Sequence, residues 1–215
     1  MTDAAHCRFL FLHLAAPGLG WQALAQAFAS AMQGVPDARV VGSFMGLFGI
    51  GSHELFALVA GSAADDALAA RVRAALPANV QVVDVLVLRA TARPASDAPL
   101  VRDGVFVFRF FDVRDGDVEE IVRLSRTAWE TFEKPAAGAS SGGAAYASEP
   151  VGLFRFANAA GPDARGRMLL LTWYDDLTSW ERSRTPAPEA TANFRRRAAL
   201  TTGTIAFATR HVPQG

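Results

Sequence analysis

Apolar and polar positions along this chain repeat with two periods, and each change of period marks a new element. "HCRFLFLHL" (6–14) is an almost unbroken apolar, β-favouring run. "WQALAQAFASAM" (21–32) follows, with Trp21, Leu24, Phe28 and Met32 on one helical face. "VVGSFMGLF" (40–48) and "HELFALVA" (53–60) predict two strands around a glycine-rich turn. "DDALAARVRAAL" (65–76) sets Leu68, Val72 and Leu76 four residues apart, a helix that stops at Pro77. "VQVVDVLVLRA" (80–90) closes the series as a strand.

The same order then recurs. After a Pro/Asp linker near 93–103, "GVFVFRFFDV" predicts a strand and "GDVEEIVRLSRTAWETF" a helix with Val118, Val122, Ser125, Trp129 and Phe132 in one stripe. Asp117 and Glu120 have the spacing of an N-cap and its N3 partner. "VGLFRFAN" and "RMLLLTWY" predict a hairpin around "AAGPDARG". Thr178 and Glu181 predict a capped helix from about Ser179, interrupted by Pro186 and Pro188 and resumed through "EATANFRRRAAL". "GTIAFATRHV" is the last strand. "GLF" at 46–48 pairs with "GLF" at 152–154, and "FLFL" at 9–12 with "FVFR" at 106–109. Each half reads β-α-β-β-α-β, the ferredoxin-like split motif.

The fold class expected is α+β, with two tandem ferredoxin-like repeats, 1–95 and 103–215, forming a pseudo-dimeric α/β barrel. Phe106, Phe108 and Phe110 share one strand face, and Val105, Val107 and Phe111 the other. Both faces are apolar, so helices cover one and the other half's sheet covers the second. A barrel of about eight strands either fills with side chains or holds one small ligand.

Composition narrows the classes. Hydrophobic residues make up 51% and charged residues 20%, enough for a real core. Lys+Arg and Asp+Glu both number 21, so no global field draws nucleic acid or an anionic membrane. Lys134 is the only lysine, a bias that with the many alanines suggests a GC-rich bacterial genome. Cys7 is the only cysteine, which excludes an intrachain disulfide and a cysteine zinc site. The opening residues lack a basic n-region and their apolar run is broken by His13, a poor signal peptide. No run of 18 apolar residues occurs, so the expectation is a soluble cytoplasmic protein. The partners expected are a small molecule and, as an open option, a second copy in a homodimer. No nucleic acid, membrane, metal or cofactor is expected.

"FVFRFFDVRDGDVEEIVRLSRTAWETFE", "VGLFRF" and "LLLTWYDDLTSWERSR" in that order resemble the NIPSNAP family, most clearly over 105–184. The resemblance implies the dimeric α/β-barrel class, which also holds cofactor-free monooxygenases, cyclases, isomerases and some haem enzymes. It brings no agreed catalytic set. The first half departs from the pattern, having "LVAGSAADD" where the second has its W-Y-D-D ending. The leading reading is a small cofactor-free enzyme of oxygenase, isomerase or cyclase type, acting on a compact apolar or anionic metabolite in the barrel cavity. The alternatives are a non-catalytic ligand-binding or scaffold protein and, third, a haem-binding barrel protein.

Candidate ligand-binding residues follow from residue type and place. Arg109 lies mid-strand among apolar neighbours, as a holder of a carboxylate or enolate or as half of a structural ion pair. Arg155 in "LFRFA" has the same character. His13 and His53 end and open strands, as general bases at the barrel mouth, haem ligands or ordinary strand-end histidines. "HELF" is not H-E-x-x-H, so a zincin is excluded. Trp173 and Tyr174 point to opposite faces, one toward a cavity and one under a helix, or both into the core. "GLFGIG" reads as a hairpin turn, "FRRRAAL" as a solvated helix face and His211 as exposed. The loop 133–150 reads as a lid or as flexible chain.

Overall fold

The computed structural model describes residues 8–61, 65–132, 147–157, 165–185 and 188–213. The lid reading of 133–150 therefore lies largely outside the described residues. The first half runs β1 (Arg8–Ala15), α1 (Trp21–Gln33), β2 (Arg39–Phe48), β3 (Glu54–Ala60), α2 (Asp66–Ala75) and β4 (Gln81–Arg93). The second runs β5 (Val105–Arg114), α3 (Val118–Phe132), β6 (Ser148–Phe156), β7 (Arg165–Tyr174), α4 (Leu177–Arg182), α5 (Pro188–Ala199) and β8 (Thr201–Val212). The strands close one antiparallel barrel in the order β1-β3-β2-β8-β5-β7-β6-β4. Each half contributes four strands, and the halves meet along two seams, β2 with β8 and β4 with β6.

Strand alternation divides the core as the pattern predicts. Phe9, Phe11, Phe44, Phe56, Phe106, Phe108, Phe110 and Phe154 point inward and form one cluster. Their rings meet edge to face, as with Phe11 and Phe56 at 4.9 Å between centroids and Phe9 and Phe154 at 5.3 Å. Such pairs add about 0.5–1.5 kcal/mol each beyond their buried area. The expected barrel cavity is thus replaced by a packed aromatic interior, because large inward residues from opposite strands meet at the axis. The outward residues of β1 and β3, Leu10, Leu12, Leu55 and Ala57, pack under α1 and α2 with Leu24, Phe28 and Val72. Those of β5 and β7, Phe111, Val113, Met168 and Leu170, pack under α3 with Ile121 and Trp129.

The repeat holds at the level of register. Gly42 opposes Leu58 and Gly152 opposes Leu171, each just after an irregularity in the ladder. A Cβ at Gly42 would lie 2.7 Å from the Phe44 ring, and one at Gly152 would lie 2.4 Å from the Phe154 ring. Each glycine leaves room for its own i+2 phenylalanine to fold back inside the barrel. "GSF" at 42–44 is therefore the mate of "GLF" at 152–154, and the match with 46–48 is corrected by four residues. Leu58 pairs with Phe11 and Leu171 with Phe108, so Leu12 and Arg109 occupy equivalent positions.

Two helix starts also differ from expectation. Asp176, not Thr178, caps α4: its carboxylate accepts from the Ser179 amide at 2.6 Å. A carboxylate at the helix entrance also favours the positive end of the dipole. Asp117 ends a 3-10 turn before α3, and Glu120 does not reach back to it. It accepts instead from Arg123 at 2.7 and 2.6 Å, a charge-assisted pair on the exposed face.

Candidate functional site

A cleft of about 350 Å³ lies between the outer face of β5 and β7 and the helices of the second half. Arg109 and Tyr174 rise into it from the sheet. Trp129 comes from α3, and Phe194 and Arg197 from α5. Arg109 takes the place that Leu12, fully buried, holds in the first half. The face of β5 that carries Arg109 thus lies under helices, and its phenylalanine face lines the barrel interior.

The charges in this cleft are unbalanced. Neither Arg109 nor Arg197 lies within 4.0 Å of a carboxylate among the described residues. Arg197 donates to the hydroxyl of Ser125, itself buried in α3, at 3.4 Å and sits 5.0 Å from the Phe194 ring centroid. Burial, together with the charge of Arg109, lowers its pKa to about 10. Tyr174 is 4% exposed, and burial pushes its phenol upward against the pull of Ser183, Arg109 and Thr172. The result is a neutral phenol beside two guanidinium groups, with aromatic walls.

The other sequence-derived candidates are dispersed. Trp173 points to the opposite face from Tyr174, toward the interior cluster, and its indole donates to the Asp103 carbonyl at 2.6 Å. The Arg102 guanidinium covers that ring at 4.4 Å. Trp173 thus pins the linker between the halves. His13 lies at a barrel mouth, its Nε2 3.1 Å from Glu54 and its ring edge-on to Phe56. His53 is more exposed and 3.9 Å from the same carboxylate. Burial works to raise the pKa of Glu54, but the Gly51 amide and the two histidines hold it below the usual carboxylate range. Arg155 lines a separate groove at the β4–β6 seam.

Two residues of interest were misjudged from sequence. "FRRRAAL" is only partly a solvated face: Arg195 and Arg196 are exposed, whereas Arg197 turns inward. The available signal was Phe194 three residues before Arg197, which puts an aromatic ring and a cation on one helical face. His211 is not exposed but inside the barrel at 5%, beside Phe44 and Phe106.

No protein-family model matches the chain, and no curated protein matches it either. Solved structures do. An anthrone oxidase-like protein is 14% identical, with a TM-score of 0.59 over 98% of this chain and 94% of its own. A chlorite dismutase variant from Candidatus Nitrospira defluvii is 9% identical, with a TM-score of 0.59 over 97% and 92%. A haem-binding protein from Thermus thermophilus is 11% identical, with a TM-score of 0.54 over 97% and 92%. The chain has the dimeric α/β-barrel fold. In this dimeric α/β barrel both halves lie in one chain.

The haem-binding neighbour raises the question of haem. Protein ligands to haem iron are His, Cys, Met or Tyr. No His, Cys or Met lines the cleft among the described residues, and Tyr174, the one residue of a haem-ligating type there, is 4% exposed and sits beside Arg109 and Arg197. His13 is engaged by Glu54 at the barrel mouth, where the interior is closed by phenylalanine rings. These residues do not fit a haem.

Proposed function

We propose that this protein binds a compact organic anion, an aromatic or apolar body carrying a carboxylate or enolate, in the cleft between β5, β7 and α5. The observation that carries the reading is the pair Arg109 and Arg197, which share a low-dielectric cleft without a carboxylate among the described residues to neutralise them. Guanidinium groups match carboxylate geometry, and the missing partner is one a ligand supplies. Trp129, Phe194 and Tyr174 suit a flat or aromatic body. The segment with the NIPSNAP-like motif order, 105–184, holds Arg109, Trp129 and Tyr174, so the family reading and the cleft draw on the same stretch. The name of the anthrone oxidase-like neighbour is in keeping with an aromatic ligand.

In an enzyme of oxygenase, isomerase or cyclase type, the two arginines would stabilise negative charge on the ligand. Tyr174, kept as the neutral phenol, would then hold or deliver a proton. A pure binding protein would use the same contacts without turnover. Melting wild type and Arg109→Leu with a panel of small aromatic acids tests the binding step. Wild type is expected to gain stability with at least one acid. Arg109→Leu is expected to fold normally, since Leu12 fills the equivalent position, and to lose that gain. A panel without effect on the wild type, or a variant that keeps the full gain, overturns the reading.

A further inference from the structure

A second cluster of arginines lies outside this cleft, on the seam between the halves. Arg8, Arg89 and Arg155 stand side by side on β1, β4 and β6, paired Arg8 with Arg89 and Arg89 with Arg155. All three share the outward parity, since Phe9, Leu88 and Phe154 point inward. Like charges directly opposite on neighbouring strands repel. The Nε atoms of both Arg89 and Arg155 are buried and have no hydrogen-bond partner among the described residues. Neither side chain forms an ion pair among the described residues.

A groove of about 720 Å³ opens over them, walled by α3. Arg123 and Arg126 face it from the helix, with Glu119 the one carboxylate in the lining among the described residues. Arg123 is already neutralised by Glu120. Arg89, Arg126 and Arg155 remain against Glu119, a surplus of two positive charges.

The other seam shows that the architecture does not require this. Ala90 opposite Phe154 corresponds to His211 opposite Phe44, so Arg89 opposite Arg155 corresponds to Arg210 opposite Met45. The groove above that seam is lined from α1 by Gln22, Gln26, Ser30 and Gln33. A methionine thus serves where Arg155 stands, and uncharged polar residues serve where α3 carries arginines.

We infer that the β4–β6 seam groove is a second anion site, built for the phosphate group of a phosphorylated small molecule, with Arg89 and Arg155 as its floor and Arg126 as its wall. The surplus of two charges matches a phosphate dianion. The planar fork of each guanidinium suits its oxygens. This site is independent of the cleft at Arg109.

Inorganic phosphate is the probe. Wild-type protein is melted at about pH 8, where phosphate is mainly the dianion, in about 10 mM phosphate and in chloride or acetate of equal ionic strength. A phosphate-specific rise of about 3 °C is expected. Arg155→Met should melt no lower than wild type in chloride and lose the rise; Arg89→Gln should lose it too. Arg109→Leu should keep it, which separates this site from the organic-anion cleft. The inference is overturned by a rise no larger than in chloride or acetate, or by a rise that persists in both seam variants. It is equally overturned if both seam variants melt far below wild type in chloride, since the arginines would then be structural.

Discussion

His211 puts a titratable ring where the repeat has Ala90 in the other half. Both of its ring nitrogens are buried without partners among the described residues, beside the rings of Phe44 and Phe106. Burial lowers its pKa, opposed by the charge of Asp103. The unfolded chain therefore takes up a proton first as pH falls. Stability is full above the ordinary histidine range, near pH 6.5, and is lost as pH falls from there toward the depressed folded value. His211→Leu removes that loss and the unpaired nitrogens. The variant should melt above wild type, with the gap widening from about pH 7 to pH 5. Melting curves across that range check it; a constant or narrowing gap would contradict it. Glu54 contributes in a lower window, because its depressed pKa keeps its stabilisation until pH falls through the acidic carboxylate range.

At the scale of elements, β2 and β6 each depend on a glycine that lets a phenylalanine ring fold back over the strand. Gly152→Ala would put a methyl group 2.4 Å from ring atoms of Phe154, which is fully buried and cannot swing away. The expected loss is about 2 kcal/mol, from overpacking at the barrel axis. Chemical denaturation of Gly152→Ala and Gly42→Ala measures it, and the tighter contact at Gly152 predicts the larger loss there. The short helix α4 rests on its cap. Asp176→Ala leaves the Ser179 amide without its acceptor and should remove about 1 kcal/mol, while Thr178→Ala should change little. Equal losses from the two would restore Thr178 as the cap.

At the scale of the whole molecule, each half presents an inner sheet face of phenylalanines that only the other half covers. Phe106, Phe108 and Phe110 of β5 meet Phe11, Phe44 and Phe56 of the first half at 4.9–5.9 Å between ring centroids. Neither four-stranded sheet can leave that face in water, and the exposed edges of β6 and β8 each want a partner strand. Residues 103–215 expressed alone should therefore associate, most simply as a dimer that rebuilds the barrel from two second halves. Light scattering on the fragment gives the mass; a stable soluble monomer would mean that the inner face does not hold the halves together. Among the described residues no helix is long and apolar enough to cross a membrane.

The periods of the chain by themselves determined the element order, the repeat and the two-sided burial of the strands, because alternation and helical spacing are local properties. They also placed Leu12 opposite Arg109 and set Trp173 and Tyr174 on opposite faces. They did not decide which strand face is the inside of the barrel. Both faces of β5 are apolar, and only closure of the sheet showed that the phenylalanines meet at the axis and that Arg109 looks out beneath the helices. Pairing across distant segments decided the rest. Arg197 comes 88 residues after Arg109 along the chain, and the line-up of Arg89 with Arg155 depends on the register of a seam between the two halves. Charges brought together from so far apart leave no spacing in the sequence, and the lack of counter-charges beside them among the described residues shows only once those residues have a place.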